Sequence, residues 1–227
     1  MPLSACYITG TDTGIGKTQV SATLLCALRA RGHRAVGMKP VASGCQWRDG
    51  IWCNEDALAL QAASDPRPGY AQVNPFALPL PLAPELAAAE AGMTLALAPI
   101  QEAFAALRVQ ADCVVVEGVG GWAAPLSATL DQADVVRALQ LPVVMVVGVR
   151  LGCLNHARLT AAAIAADGLA CIGWVANEID PEMQRLDETL KLLRQRLPMP
   201  CWGRIPYAPG ADPATLAAVL CPGEYVP

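Results

Sequence analysis

One stretch constrains this chain more than any other: Gly10-Thr11-Asp12-Thr13-Gly14-Ile15-Gly16-Lys17-Thr18. It follows a short apolar run, Ala5–Thr9, and leads straight into a helical pattern over Lys17–Ala30. In a strand, glycine-rich loop, helix arrangement, backbone N–H groups curl around phosphate oxygens. The helix N-terminus adds donors and partial positive charge. Within such a P-loop, Lys17 can span the β- and γ-phosphates and the Thr18 hydroxyl can ligate Mg²⁺. The first glycine stands one place early, because strict GxxxxGK[ST] spacing asks for glycine at position 11, where Thr11 stands.

The rest of the chain repeats the alternation. Strands are expected at Ala35–Lys39, Cys113–Glu117, Val143–Val149, Ala170–Ala176 and, more weakly, Cys201–Ile205; most are continuous Val, Ile and Cys runs, as parallel strands buried on both faces require. Helices are expected at Ile100–Val109, Asp131–Leu139, Asn155–Ala166 and Pro181–Arg196. The pattern predicts an α/β fold, an open, mostly parallel β-sheet of P-loop NTPase type with helices on both faces. At this length, residues 1–227 read as a single domain. Ligands of such folds sit at the carboxyl ends of the strands. The proline-rich stretch 64–99 breaks the rhythm and reads as an excursion with little strand pattern and a short helix at Glu85–Ala91.

Composition narrows the partners. A net charge of −4 with no basic run argues against a nucleic-acid surface. No apolar run approaches the roughly 20 residues that span a bilayer. MPLSACYITG lacks the basic and long apolar segments of a signal peptide. The nine cysteines are scattered with no CxxC pair, and several sit in apolar runs as small hydrophobes. These features point to reducing cytoplasm. His33 and His156 are each isolated and do not read as metal ligands.

The basic residues divide into thirteen arginines and only three lysines, Lys17, Lys39 and Lys191. Lys39 ends a buried strand, an unusual place for a lysine. Glu117 ends the DCVVVE strand beside Gly118, Gly120 and Gly121, where a Walker-B-type carboxylate binds Mg²⁺ directly or through water. Asp56, in NEDALAL, opens a helix and reads equally as a metal ligand or as an N-cap. Trp47, Trp52 and Trp122 read by default as core or interface residues.

Taken together, GTDTGIGKT, KPVASG, NEDALAL, VEGVGGWAAPLS, VVGVRLGCLNHA and GWVANE resemble the dethiobiotin synthetase family, in order from about Tyr7 to Tyr207. That resemblance implies ATP-dependent ring closure in biotin synthesis. The diamine 7,8-diaminononanoate takes up CO₂ as a carbamate, ATP phosphorylates the carbamate, and the second amine closes a cyclic urea. It implies ATP as co-substrate, Mg²⁺ as cofactor and a homodimer. By motif, Lys39 and Lys17 would be catalytic, and Thr18, Asp56 and Glu117 would hold Mg²⁺. Gly14, Ile15, Gly16, Lys17, Thr18 and Gln19, with Glu117, Gly118, Val119 and Gly120, would line the ATP phosphates. Asn177 and Glu178 match the adenine position, and Pro206, Tyr207 and Ala208 the segment closing over the base; from the residues alone, Asn177 is an ordinary turn residue after a strand. Ser43 would contact the diamine, with Thr11 nearby. The turn Leu151-Gly152-Cys153 opens a helix whose N–H groups could hold the substrate carboxylate, with Asn155 serving the neighbouring subunit. Gly14 stands where some family members carry an acidic residue, so no role for that acid is expected.

The alternative is a P-loop switch or partitioning ATPase acting through protein partners. It would be favoured by a second lysine in the loop, a basic face or an amphipathic C-terminal helix. Instead the chain has Thr11, an acidic balance, and a C-terminal LAAVLCPGEYVP broken by proline and glycine. The NKxD base-recognition pattern is missing after Asn177, and 227 residues leave no room for a glutaminase domain.

Overall fold

The computed structural model describes residues 3–222; Met1, Pro2 and the terminal GEYVP of residues 223–227 lie outside the described residues. Its centre is a six-stranded parallel sheet. The strands are β1 (Ala5–Gly10), β2 (Ala35–Met38), β3 (Cys113–Glu117), β4 (Val143–Val149), β5 (Cys171–Glu178) and β6 (Cys201–Ile205), in spatial order β6-β5-β4-β1-β3-β2. The order reverses at β1, so the crevice beyond its carboxyl end is where an open α/β sheet takes a ligand.

Strand alternation divides the interior. Tyr7, Val114 and Val116 enter one apolar cluster with the helices α3 (Leu97–Gln110) and α4 (Gln132–Leu139). Cys6, Ile8, Val115 and Val144 enter the opposite cluster, with α1 (Lys17–Ala30) and α2 (Glu55–Ala63). A third cluster joins β4 and β5 to α5 (Cys153–Ala166) and α6 (Leu186–Arg196). Both faces of the sheet are covered, which is why its strands read as unbroken apolar runs.

Three readings are corrected. First, β5 runs on to Glu178, so Asn177 and Glu178 are strand residues and not a turn after it. Second, α6 starts at Leu186 and not at Pro181. Residues 181–184 form a turn and an unassigned stretch, and Arg185 takes a left-handed φ of 56° immediately before the helix. Third, the excursion contains a strand: Phe76–Leu78 pairs in parallel with Val41–Ser43. Its short helix runs Pro84–Glu90. Of core or interface packing, the default for the three tryptophans, the core applies to Trp122 and not to Trp47 and Trp52. They pair edge-to-face on the exposed hairpin Gln46–Arg48/Ile51–Cys53, whereas Trp122 is buried against Tyr7.

The excursion has a definite task. It lies along β2, which would otherwise be a bare sheet edge. The Asp65 N–H donates to the Ala35 carbonyl (2.9 Å), the Gly37 N–H to Ser64 Oγ (2.9 Å) and the Lys39 N–H to the Val73 carbonyl (2.7 Å). Buried Asn74 donates through Nδ2 to the carbonyls of Lys39 (2.7 Å) and Phe76 (3.2 Å). The proline-rich segment thus fixes the backbone of Lys39 and, through the Val41–Ser43 pairing, that of Ser43.

Asn74→Ala would leave both carbonyls without that donor. It should cost about 1–3 kcal/mol of stability, read as a lower urea midpoint at unchanged m-value.

Candidate active site

The phosphate loop crosses from β1 to α1 with its shape set by two close approaches. Gly16 caps α1 with φ 80°, and a Cβ there would stand 2.2 Å from Asn177 Nδ2. At Gly148 of β4 a Cβ would stand 2.6 Å from Ile15 Cγ2, so only glycine lets Ile15 lie against the strand. Asn177, buried, donates from Nδ2 to the Ile15 carbonyl at 2.7 Å. Arg150 grips Asp12 at 2.6 Å, and the Thr13 N–H donates to Asp12 Oδ1 at 2.7 Å. Lys17 Nζ donates to the Asp12 carbonyl at 2.9 Å.

Facing this loop is a cleft of about 420 Å³ lined by residues from several segments, including Gly14, Gly16, Lys17, Thr18, Lys39, Ser43, Asp56, Glu117, Val119 and Gly120. Glu117 is fully buried at its mouth-side strand end, and Lys39 is 4% exposed. Lys39 Nζ lies 2.6 Å from Glu117 Oε1, 3.1 Å from Asp56 Oδ2 and 3.3 Å from the Gly118 carbonyl. Thr18 Oγ1 donates to the same Glu117 Oε1 at 2.8 Å.

The charges are mutually dependent. Burial works against the Lys39 ammonium, but the carboxylates of Glu117 and Asp56 beside it hold its pKa above the ordinary lysine value. Burial likewise opposes the Asp56 carboxylate, and Lys39 overcomes that and keeps its pKa below the usual range. Lys17 has no such close carboxylate; burial, then the Lys39 charge, push it down to about 8.

The donor set suits a hard cation. Thr18, Asp56 and Glu117 offer only oxygen, and Glu117 Oε2 is buried without a hydrogen-bond partner among the described residues. Two carboxylates and a hydroxyl are too few to form an all-protein cage, which matches the way Mg²⁺ keeps waters and phosphate oxygens as its other ligands. Asp56 is not the N-cap of α2. Asn54 is, its side chain accepting from the N–H groups of Asp56 (3.0 Å) and Ala57 (3.3 Å), which leaves Asp56 in the first turn with its carboxylate free to face Lys39.

Other expected residues lie elsewhere. Thr11 lines a separate cavity of about 380 Å³ with Gly121, Trp122, Ala124, Leu159 and Thr160. Leu151, Gly152 and Asn155 are exposed around the first turn of α5 and line neither cavity. Glu178 pairs with Arg204 and accepts from the Tyr207 N–H at 3.4 Å, bringing the Pro206-Tyr207-Ala208 segment to the end of β5. Gln19 donates to the carbonyl of Ala211 at 3.2 Å, and the Ala211 N–H donates to the Ala208 carbonyl at 3.1 Å, tying the end of that segment to α1. Three lining residues were missed, Thr13, Ala42 and Asn54. Asn54 carried a signal, since an Asn ahead of an acidic first turn is a helix start.

This fold and this cleft define a P-loop nucleotide-binding α/β protein. The sequence model of a family described as an AAA domain matches residues 4–215. Among solved structures, the MinD cell division protein of Aquifex aeolicus superposes with a TM-score of 0.53 at 12% identity, covering 91% of this chain and 83% of that one, a likeness of fold. The ATP-dependent dethiobiotin synthetase of Xanthomonas euvesicatoria pv. vesicatoria (strain 85-10) is 76% identical over 213 residues, 94% of this chain and 95% of that protein. Its counterpart in Xylella fastidiosa (strain 9a5c) is 69% identical over 223 residues, 98% of this chain and 99% of that protein. The chain belongs to the ATP-dependent dethiobiotin synthetase family.

Lys17 supplies a test that needs no turnover. With its pKa near 8 in the free protein, it is partly neutral at that pH, and an anionic phosphate beside it must raise the pKa. Nucleotide binding near pH 8 should therefore take up a fraction of a proton, measured by calorimetry in buffers of different ionisation enthalpy. Near pH 6.5, where Lys17 is already charged, that uptake should vanish.

Proposed function

We propose that this chain closes a cyclic urea at the expense of ATP, converting 7,8-diaminononanoate and CO₂ to dethiobiotin, ADP and phosphate. The observation that carries this reading is the buried lysine, Lys39, held at the cleft by Glu117 and Asp56 and facing the phosphate loop. A carbamate oxygen attacking a γ-phosphoryl group brings two anions together, and fixed cations in a poorly solvated site offset their repulsion.

The atoms balance in three steps. One amine of the substrate adds to CO₂ and loses a proton, giving a carbamate. A carbamate oxygen attacks the γ-phosphorus, the bond to the bridging oxygen breaks, and ADP leaves. The second amine then attacks the carbonyl carbon of the mixed anhydride, releasing phosphate and a proton as the ring closes.

Through these steps the chain's residues position and neutralise. The N–H groups of Gly14 to Gln19 and the Lys17 ammonium hold the phosphates, and Lys39 places its charge between carbamate and phosphoryl group. Ser43, fixed by the Val41–Ser43 pairing, orients the diamine. Thr18, Asp56 and Glu117 would hold Mg²⁺, which when bound would supply charge neutralisation at the transferring phosphoryl group. Asn177 and Glu178, with Pro206, Tyr207 and Ala208, form the adenine subsite. No nucleophilic side chain is needed.

In the same reading residues 1–227 act as one domain of a cytoplasmic homodimer. The exposed turn Leu151-Gly152 and Asn155 then meet the diamine of the neighbouring subunit. Their exposure on a turn that lines neither cavity supports that assignment. No helix among the described residues is long and apolar enough to cross a membrane.

The deciding assay is phosphate release from MgATP with and without diamine and bicarbonate. Release should depend on both; turnover indifferent to the diamine would sink the synthetase reading in favour of a switch-type ATPase. Lys39→Ala should reduce the rate by more than about a hundredfold, and normal turnover in that variant would refute the electrostatic role. For Asp56→Asn, the Mg²⁺ titration of turnover should shift to higher concentration, and an unchanged curve would remove Asp56 from the metal set.

A further inference from the structure

The loop that follows Glu117 forms a wall with two sides. Val119 and Gly120 line the phosphate cleft, whereas Gly121 and Trp122 line the separate cavity that holds Thr11. The loop is rich in glycine, Gly118-Val119-Gly120-Gly121, and would be free to take many shapes. Something must fix it.

The fixing group is Gln132, the first residue of α4, whose side chain is fully buried beneath the loop. Its Oε1 accepts from the Tyr7 hydroxyl at 2.8 Å and from the Val119 N–H at 3.2 Å. Its Nε2 donates to the carbonyls of Gly121 at 2.6 Å and Trp122 at 3.2 Å. A backbone N–H can only donate and a carbonyl can only accept, so these partners fix which end of the amide is which. Both hydrogens and both lone-pair directions are used, three of the four on the loop itself. At Gly118 the approach is so close that a Cβ would stand 2.3 Å from Oε1 and 2.6 Å from the Tyr7 hydroxyl. Lys39 bonds to the Gly118 carbonyl at 3.3 Å, so a shift of the loop is transmitted to the Lys39 ammonium.

We infer that Gln132 is a positioning residue for the reaction, setting the loop that divides the phosphate cleft from the Thr11 cavity and thereby the placement of Lys39 and Glu117. This rests on the reading given under Proposed function, in which Lys39 places its charge between carbamate and phosphoryl group. Gln132 touches no reacting atom. Its loss should slow the chemical step and leave the grip of the P-loop on nucleotide nearly unchanged, because no P-loop residue bonds to it.

Two variants test this. Gln132→Met keeps the length and removes every hydrogen bond; Gln132→Glu keeps an acceptor for Tyr7 and Val119 and, when ionised, has no donor for Gly121 and Trp122. Per folded molecule, each should lower kcat about tenfold or more while KM for ATP stays within about threefold. Val136→Ala, a buried apolar truncation on the same helix, is the control for lost stability alone and should keep the wild-type kcat. Wild-type kcat in both Gln132 variants, a loss confined to KM for ATP, or an equal kcat loss in Val136→Ala would each overturn the inference. Amide hydrogen exchange over residues 117–122 reads the loop without any turnover. It should accelerate in the Gln132 variants, and unchanged exchange would equally overturn the inference. Absence of wild-type turnover would instead count against the synthetase reading, with the exchange result still deciding the role of Gln132.

Discussion

A lysine and a glutamate, both almost wholly out of water, meet at 2.6 Å between Lys39 and Glu117, and the rest of the structure is arranged around that contact. Neither charge could be buried alone. Removing one partner of such a pair typically costs about 3–5 kcal/mol, because the survivor is left desolvated and unpaired. As a source of stability the pair is a poor investment. Its value lies in holding a cation at a fixed point beside the phosphate loop, next to a carboxylate oxygen that no group among the described residues satisfies.

Topology makes the contact possible. β3 lies between β1 and β2, so the carboxyl ends of three neighbouring strands deliver the phosphate loop, Glu117 and Lys39 to one place. Because β2 is an edge strand, the residue after it would be loosely held. The excursion past residue 64 bonds to it at Ala35, Gly37 and Lys39 and removes that freedom. Asn54, by capping α2, turns Asp56 toward the same ammonium. Gln132 performs the matching task under the glycine-rich loop on the far side of Glu117.

Much of this was legible in the sequence, for a physical reason. Strands buried on both faces must be apolar throughout, so Cys113–Glu117 and Val143–Val149 were readable to the residue, and a lysine or glutamate ending such a run stands out. The opposite holds where function depends on hydrogen bonds between distant segments. Asn74 and Gln132 look like ordinary solvent-facing residues in a linear chain, yet each is buried and bonds across tens of positions. Strand pairing of Phe76–Leu78 was hidden by the surrounding prolines, and the late start of α6 by Met183, which keeps the helical spacing ahead of it. Asn177 read as a turn residue because nothing local tells a strand's last polar residue from the first one beyond it.

Lys39 and Glu117 are tolerated in the interior only because each compensates the other. A double-mutant cycle on unfolding free energy tests this directly, using Lys39→Met, Glu117→Gln and the two combined in urea without nucleotide or metal. Each single change should be costly, and the double variant should be more stable than their sum by about 2 kcal/mol or more. Single effects that add to within about 0.5 kcal/mol would contradict it.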